Sequence, residues 1–208
     1  MTEAMGRTLR EAVEPPAVSS RAFGRTPAWW GMVLFVATEA TLFACLLASY
    51  FYIRFSTGGE WPPGGIKDPE LSKPLIMTAV LLSSSGPMVW ADWAVRRGRI
   101  GQLKAGLLLT LALGAAFLGL QATEYSTKLE EFTWNTNTYG SLFYVITGFH
   151  GTHVAVGLVM LVFIAIAAFG GKFSGRRHMR VRLVGFYWHF VDAIWLAILF
   201  TIYLSPHL

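Results

Sequence analysis

Charge is what this sequence has least of. Only 14% of its 208 residues are Asp, Glu, Lys or Arg, where a soluble chain carries about 25%. That leaves too little polar surface to dress a globule of this size in water. Cysteine is nearly absent as well: Cys45 stands alone, which excludes an intrachain disulfide, and its place inside an apolar run marks it as a buried, inert thiol. A cleavable signal peptide is not expected. Residues 1–27 mix Arg, Glu and Pro, and the apolar run that follows is too long for an h-region. No internal repeat of the kind found in many transporters stands out.

What the chain has instead is long apolar runs. Hydrophobic residues make up 54% of it, and about 61% falls in the apolar class once Gly is counted and Tyr set aside. The net charge of +5 does not indicate nucleic acid, because the basic residues are separated by long uncharged stretches rather than gathered on one face. Five stretches are long enough to cross about 30 Å of hydrocarbon at 1.5 Å per residue. They lie at about 29–53, 74–95, 104–126, 139–169 and 183–204. The segment GGEWPPGGIKDPELSKP at 58–74 and the segment EEFTWNTNT at 130–138 read as solvent-side turns. The expected fold is therefore all-α, a bundle of five transmembrane helices over 28–208, preceded by a disordered tail at 1–27.

The Lys and Arg residues orient this bundle. Thirteen of them fall in the N-terminal tail, the second loop and the fourth loop, and the other four are Arg54, Lys67, Lys73 and Lys128. This alternation is what the positive-inside rule expects of five helices with the N-terminus in the cytoplasm and the C-terminus outside. A missing or spurious span would scramble it. Trp29, Trp30, Trp61, Trp90 and Trp93 fall mostly near span ends and read as interfacial anchors.

A carboxylate at bilayer depth costs roughly 2.5–3.5 kcal/mol on insertion scales, so each one needs a partner, a proton or a task. Glu39 sits near the middle of the first span with no opposite charge within a helical turn. Desolvation favours a protonated or water-linked carboxyl there, serving either proton handling or helix packing. His150, His153 and Gly157 share one helix face by spacing, as a ligand pair or as two hydrogen-bonded histidines at a close helix contact. With no Glu-x-x-His and no Cys-x-x-Cys in the chain, no metal is assigned. His189 and Asp192 lie three apart and are able to pair on a shared face, where a hydrogen bond between them would serve as packing glue or as a relay, with Trp188, Asp192 and Trp195 lining that face. Glu124 ends the third span, where its carboxylate could reach the interface and be hydrated, the default reading, or turn inward to a neighbouring helix. Asp92 is expected to pair with Arg96 at i+4.

Taken in order, these motifs resemble subunit III of the heme-copper oxidases. GMxLFxxxE is met by Gly31 to Glu39, WPPxGI by Trp61 to Ile66, and QAxEY by Gln121 to Tyr125. The most specific are YGSxFxxxTGFHGxHVxxG, met by Tyr139 to Gly157, and YWHFVDxxWL, met by Tyr187 to Leu196. The resemblance implies a non-catalytic subunit of a respiratory terminal oxidase, most simply a cytochrome c oxidase of aa or caa type. Its tasks would be to support assembly, lipid binding, proton uptake and turnover stability. It further implies partner subunits I and II carrying the hemes and copper, contact of the complex with cytochrome c, structural phospholipid, no cofactor held by this chain itself, no nucleic acid, and a bacterial cytoplasmic membrane. Glu39 matches the family's buried carboxylate; Glu124, His150, His153, His189 and Asp192 match positions implied to serve packing, lipid or partner contacts. Longer members have seven helices, and this chain matches the last five, without the two that form the other wall of a lipid-holding cleft. Quinol oxidases and accessory proteins of nitric oxide reductase share the five-helix form. Outside the family, a stand-alone b-type cytochrome would use the histidines as heme ligands, and a transporter would line a pathway with Glu39 and Asp192.

Overall fold

The computed structural model describes residues 26–58, 61–63, 70–171, 173 and 178–207. Five long helices account for almost all of them: α1 (Pro27–Thr57), α2 (Ser72–Arg96), α3 (Ile100–Glu131), α4 (Thr138–Phe169) and α5 (Met179–Ile198). The last widens into a π-helical segment at Leu199–Leu204 and closes in a short 3-10 turn at Ser205–His207. Each expected span falls within one of these helices, the last running on from α5 through the π-helical segment, and all five are long and apolar enough to cross a membrane. The described residues include no strand. The expected disorder of the N-terminal tail concerns residues that, but for 26 and 27, lie outside the described ones, as do Gly65 and Ile66 of the loop motif.

The helix ends follow from the local sequence. Pro27 opens α1, where its missing N–H would have had no helical partner. Asn137 caps α4 by accepting the Gly140 backbone N–H at 2.9 Å. Between α2 and α3 the chain reverses within three residues, and Gly98 takes the left-handed conformation (φ 70°) that this turn requires. The resulting α2–α3 hairpin is the most extensive helix pair in the molecule. Its backbones approach closely at Gly106, where an added Cβ would lie 2.7 Å from the Pro87 carbonyl oxygen.

α4 and α5 pack on this hairpin, and Trp188 joins all four helices. Its ring is fully buried. It fills the space left by two glycines, since a Cβ on Gly114 or Gly157 would come within 2.6 or 2.9 Å of it, and its indole N–H donates to Ser84 Oγ at 2.8 Å. Trp195, two turns further along α5, donates to Thr78 Oγ1 at 2.8 Å and packs edge-on against Phe117. Two α5 indoles thus satisfy their N–H groups on two α2 hydroxyls inside an apolar core.

α1 is held differently. Its buried residues are Trp29, Val36, Phe43 and Tyr50, one every seventh position, which forms a single narrow stripe on a helix. This stripe meets α4 and α5, and Leu34, Phe35, Tyr52 and Phe55 are exposed. Cys45 falls off the stripe and is exposed, contrary to the buried thiol expected. An apolar run long enough to span a bilayer can face lipid, so apolar surroundings in sequence do not imply burial in the bundle. Two tryptophans also depart from the anchor reading. Trp29 is buried, and Trp61 donates to Tyr50 Oη at 2.9 Å and stacks edge-on against Tyr50 and Tyr139. The described part of the first loop therefore folds back onto the bundle, and Asn137 Nδ2 donates to the Pro63 carbonyl.

Candidate functional site

Glu39 finds its partner across the α1–α4 seam. Its Oε2 lies 3.0 Å from His153 Nε2, with the two side chains 22% and 14% exposed. The other imidazole nitrogen, Nδ1, is 2.7 Å from the Phe149 carbonyl oxygen, which can only accept, so Nδ1 carries a hydrogen. In a neutral imidazole Nε2 is then the acceptor, and the Glu39 carboxyl must donate to it. Moving that proton across gives a carboxylate and an imidazolium. Either way the pair holds one shared proton and no net charge, which removes most of the cost of an acid at bilayer depth. The Phe43 ring packs edge-on against His153 at 5.0 Å, and Tyr187 donates to the His153 carbonyl at 3.1 Å. The sequence reading offered a hydrogen bond from Glu39 to a neighbouring helix as one alternative, and did not identify His153 as the partner.

His150 points elsewhere. It is fully buried, with Nε2 at 3.3 Å from the Val191 carbonyl oxygen and its ring between Phe117 and Trp195. One histidine thus serves the α4–α5 contact and the other the α1–α4 contact, so they do not converge on a common ligand. Among the described residues no group of three or more His, Cys, Asp or Glu side chains is disposed to hold a metal ion.

His189 and Asp192 share a face of α5 as their spacing suggests, but a third residue stands between them. Nδ1 and Oδ2 stand 4.0 Å apart, and Ser85 of α2 sits between them. It donates to Asp192 Oδ2 and lies 2.9 Å from His189 Nδ1. The three-residue spacing puts both groups on one side of α5, yet the facing hydroxyl offers each a better-aligned partner. The serine run Ser83, Ser84, Ser85 inside an apolar span was the signal available for it. Trp188, Asp192 and Trp195 do share the buried face of α5.

Glu124 is also displaced from its expected place. It is 3% exposed and pairs with Lys73 of α2 at 3.5 Å, while Lys73 donates to Thr127 at 2.9 Å. The antiparallel α2–α3 hairpin brings the start of one helix beside the end of the other and covers the carboxylate. The neighbouring Tyr125 hydroxyl meets Thr147 Oγ1 at 2.7 Å, and Gln121 Nε2 donates to the Thr147 carbonyl at 2.8 Å. Both residues were legible as part of a motif, but their role as the α3–α4 link was not. The Asp92–Arg96 ion pair is present as expected.

Comparison with known proteins assigns the family. The family model described as cytochrome c oxidase subunit III matches residues 22–206. The chain belongs to the cytochrome c oxidase subunit III family. Curated relatives include the cytochrome c oxidase subunit 3 of Drosophila yakuba and of Coturnix japonica, each 37% identical, and that of Homo sapiens, 36% identical. In each case the match runs over 179 residues, 84% of this chain and 68% of the relative. A multi-pass membrane subunit of a respiratory oxidase follows, and with it association with other oxidase subunits. Within this subunit III fold, the motif residues of α1, α4 and α5 supply most of the side chains at the helix seams just described.

Proposed function

We propose that this subunit III carries no redox chemistry of its own and sustains the oxygen-reducing, heme- and copper-bearing subunit beside it. It does so by bracing assembly, holding phospholipid, and supporting proton uptake and turnover lifetime. The observation that carries this reading is the Glu39–His153 pair, an exchangeable proton held across a lightly packed seam and partly open to the outside of the bundle. Structural glue alone would be served as well by apolar contact, which is what Val36 and Phe43 of the α1 stripe supply. His150 and His153 are each engaged, with a carbonyl and a carboxyl on different neighbours, which counts against a heme held between them. The oxidase would be of the aa or caa type, accepting electrons from cytochrome c through subunit II.

The membrane assigned is a bacterial cytoplasmic one, with the N-terminus inside. The end of the bundle that would face the cytoplasm supports this orientation. Arg97 lies 3.7 Å from the Trp93 ring, Lys104 4.8 Å from Phe169 and Arg182 4.8 Å from Trp29, the combination of cations and rings suited to a headgroup region rich in anionic lipid. The test is Glu39→Gln in the assembled oxidase. The amide still donates to His153 Nε2, so packing survives while the exchangeable proton is lost. Retention of the subunit is expected to be unchanged, with slower proton uptake or a shortened turnover lifetime. A variant equal to wild type in both kinetic readouts would reduce the pair to packing.

A further inference from the structure

Asp192 has little around it to hold a negative charge. It lies nine residues past the start of the last expected span, about 14 Å along the helix. It is 4% exposed, and its Oδ1 has no partner among the described residues. The ionisable groups on the neighbouring helices are already committed. Asp92 of α2 is paired with Arg96, and α3 carries no charge from 105 to 123. On α4, His150 gives its Nε2 hydrogen to the Val191 carbonyl, and His153 shares a proton with Glu39 of α1. A carboxylate buried in this way costs several kcal/mol unless it is paired or takes a proton.

A row of hydrogen bonds joins Asp192 to the surface of the bundle. Its Oδ2 meets Ser85, Ser85 Oγ stands 2.9 Å from His189 Nδ1, and the His189 side chain is 42% exposed. A hydroxyl both donates and accepts, so the row can run in either direction on the same heavy atoms. In one arrangement His189 Nδ1–H donates to Ser85, Ser85 donates to the Asp192 carboxylate, and Nε2 is bare. A proton arriving at Nε2 lets Nδ1 pass its own to Ser85 Oγ, while the serine passes its hydrogen to Asp192 Oδ2. Asp192 is then the neutral acid and donates to Ser85, Ser85 donates to Nδ1, and His189 stays neutral with its hydrogen on Nε2. One proton has entered and one negative charge is cancelled; the reverse sequence returns it.

Asp92 stands at the mouth of this row. It follows Ser85 by seven residues, about two turns, and so lies on the same side of α2. Its carboxylate acts electrostatically on the His189 ring. The side chain is 21% exposed, and its Oδ1 is also without a partner among the described residues. We propose that Asp192 is a proton store inside the bundle, filled from the charged end of α2 through Asp92, His189 and Ser85. That the store serves proton uptake by the oxidase rests on the reading above; the store itself rests on this geometry.

The test is infrared spectroscopy of the complete complex in a Glu39→Gln background, which removes the carboxyl at the α1–α4 seam. A carboxylic C=O band is expected to grow on acidification and to be absent from Asp192→Asn. On transfer to deuterium oxide that band should shift promptly in the Glu39→Gln parent and with Ser85→Thr added, which keeps the hydroxyl. With Ser85→Ala, His189→Phe or Asp92→Asn added, the shift should be at least about tenfold slower. The parent's rate in any of these three would overturn the proposal. So would the lack, at every pH at which the complex is intact, of a band that Asp192→Asn removes. The readout follows the carboxyl itself, so normal proton uptake and turnover lifetime in the Glu39→Gln oxidase would fail the earlier reading and leave this one standing.

Discussion

α1 and α5 are both long apolar helices of one bundle, yet they are held by different means. α5 is locked by shape: Trp188 occupies the space of two missing side chains, and Trp195 is wedged against Phe117. α1 touches the bundle along a one-in-seven stripe and adds the Glu39–His153 pair at its middle and the Tyr50–Trp61 contact near its end. Inside a membrane the apolar surface of either helix is as well served by lipid as by protein, so packing fit and hydrogen bonds decide which contacts endure. The tightly fitted region is the scaffold. The lightly fitted seam is where a proton can be kept within reach of the outside.

This contrast can be broken most severely from the scaffold side. Gly114→Leu drives a side chain into the Trp188 ring, and overpacking of this kind is expected to cost about 3 kcal/mol. Thermal unfolding of the purified subunit or complex should then fall by about 6–12 °C; an unchanged midpoint would show that Trp188 is not the keystone of the core. Asp192→Leu removes the acceptor for Ser85 and is expected to cost about 1–2 kcal/mol. The freed hydroxyl would then donate to His189 Nδ1 and turn Nε2 into a donor. The measurable result is partial loss of the subunit on purification, and full retention would mean that Ser85 and Asp192 are bystanders. On the α1 side, Val36→Ala removes two methyl groups from a stripe partly backed by lipid, and its effect on unfolding should stay under about 1 kcal/mol. A larger effect than that of Asp192→Leu would invert the comparison.

The number of helices and their register in the chain were legible because each apolar run is long and the Pro, Gly and charged residues between runs are unambiguous. The motif of α4 showed that both histidines matter, and spacing placed them on one face. Spacing could not show that a helix face seen by two neighbours divides its residues between them, as His150 and His153 do. Cys45 was misplaced for a related reason: in a membrane-spanning helix apolarity no longer reports burial, and only the stripe recurring every seventh residue tells inside from outside. The inward turn of Glu124 was only the lesser of two readings, and Ser85 was missed, because their partners, Lys73 on another helix and the His189–Asp192 pair 104 to 107 residues away, are set by the α2–α3 and α2–α5 contacts. Short-range pattern does not encode those.

The central claim is that this chain supports a redox enzyme without holding a redox centre. It is tested most directly by purifying the complex through this subunit in mild detergent and recording reduced-minus-oxidised spectra before and after the subunit is dissociated. The account predicts that a heme-bearing partner co-purifies and that every heme band stays with that partner when this chain is released. Heme bands that travel with the released chain would contradict it.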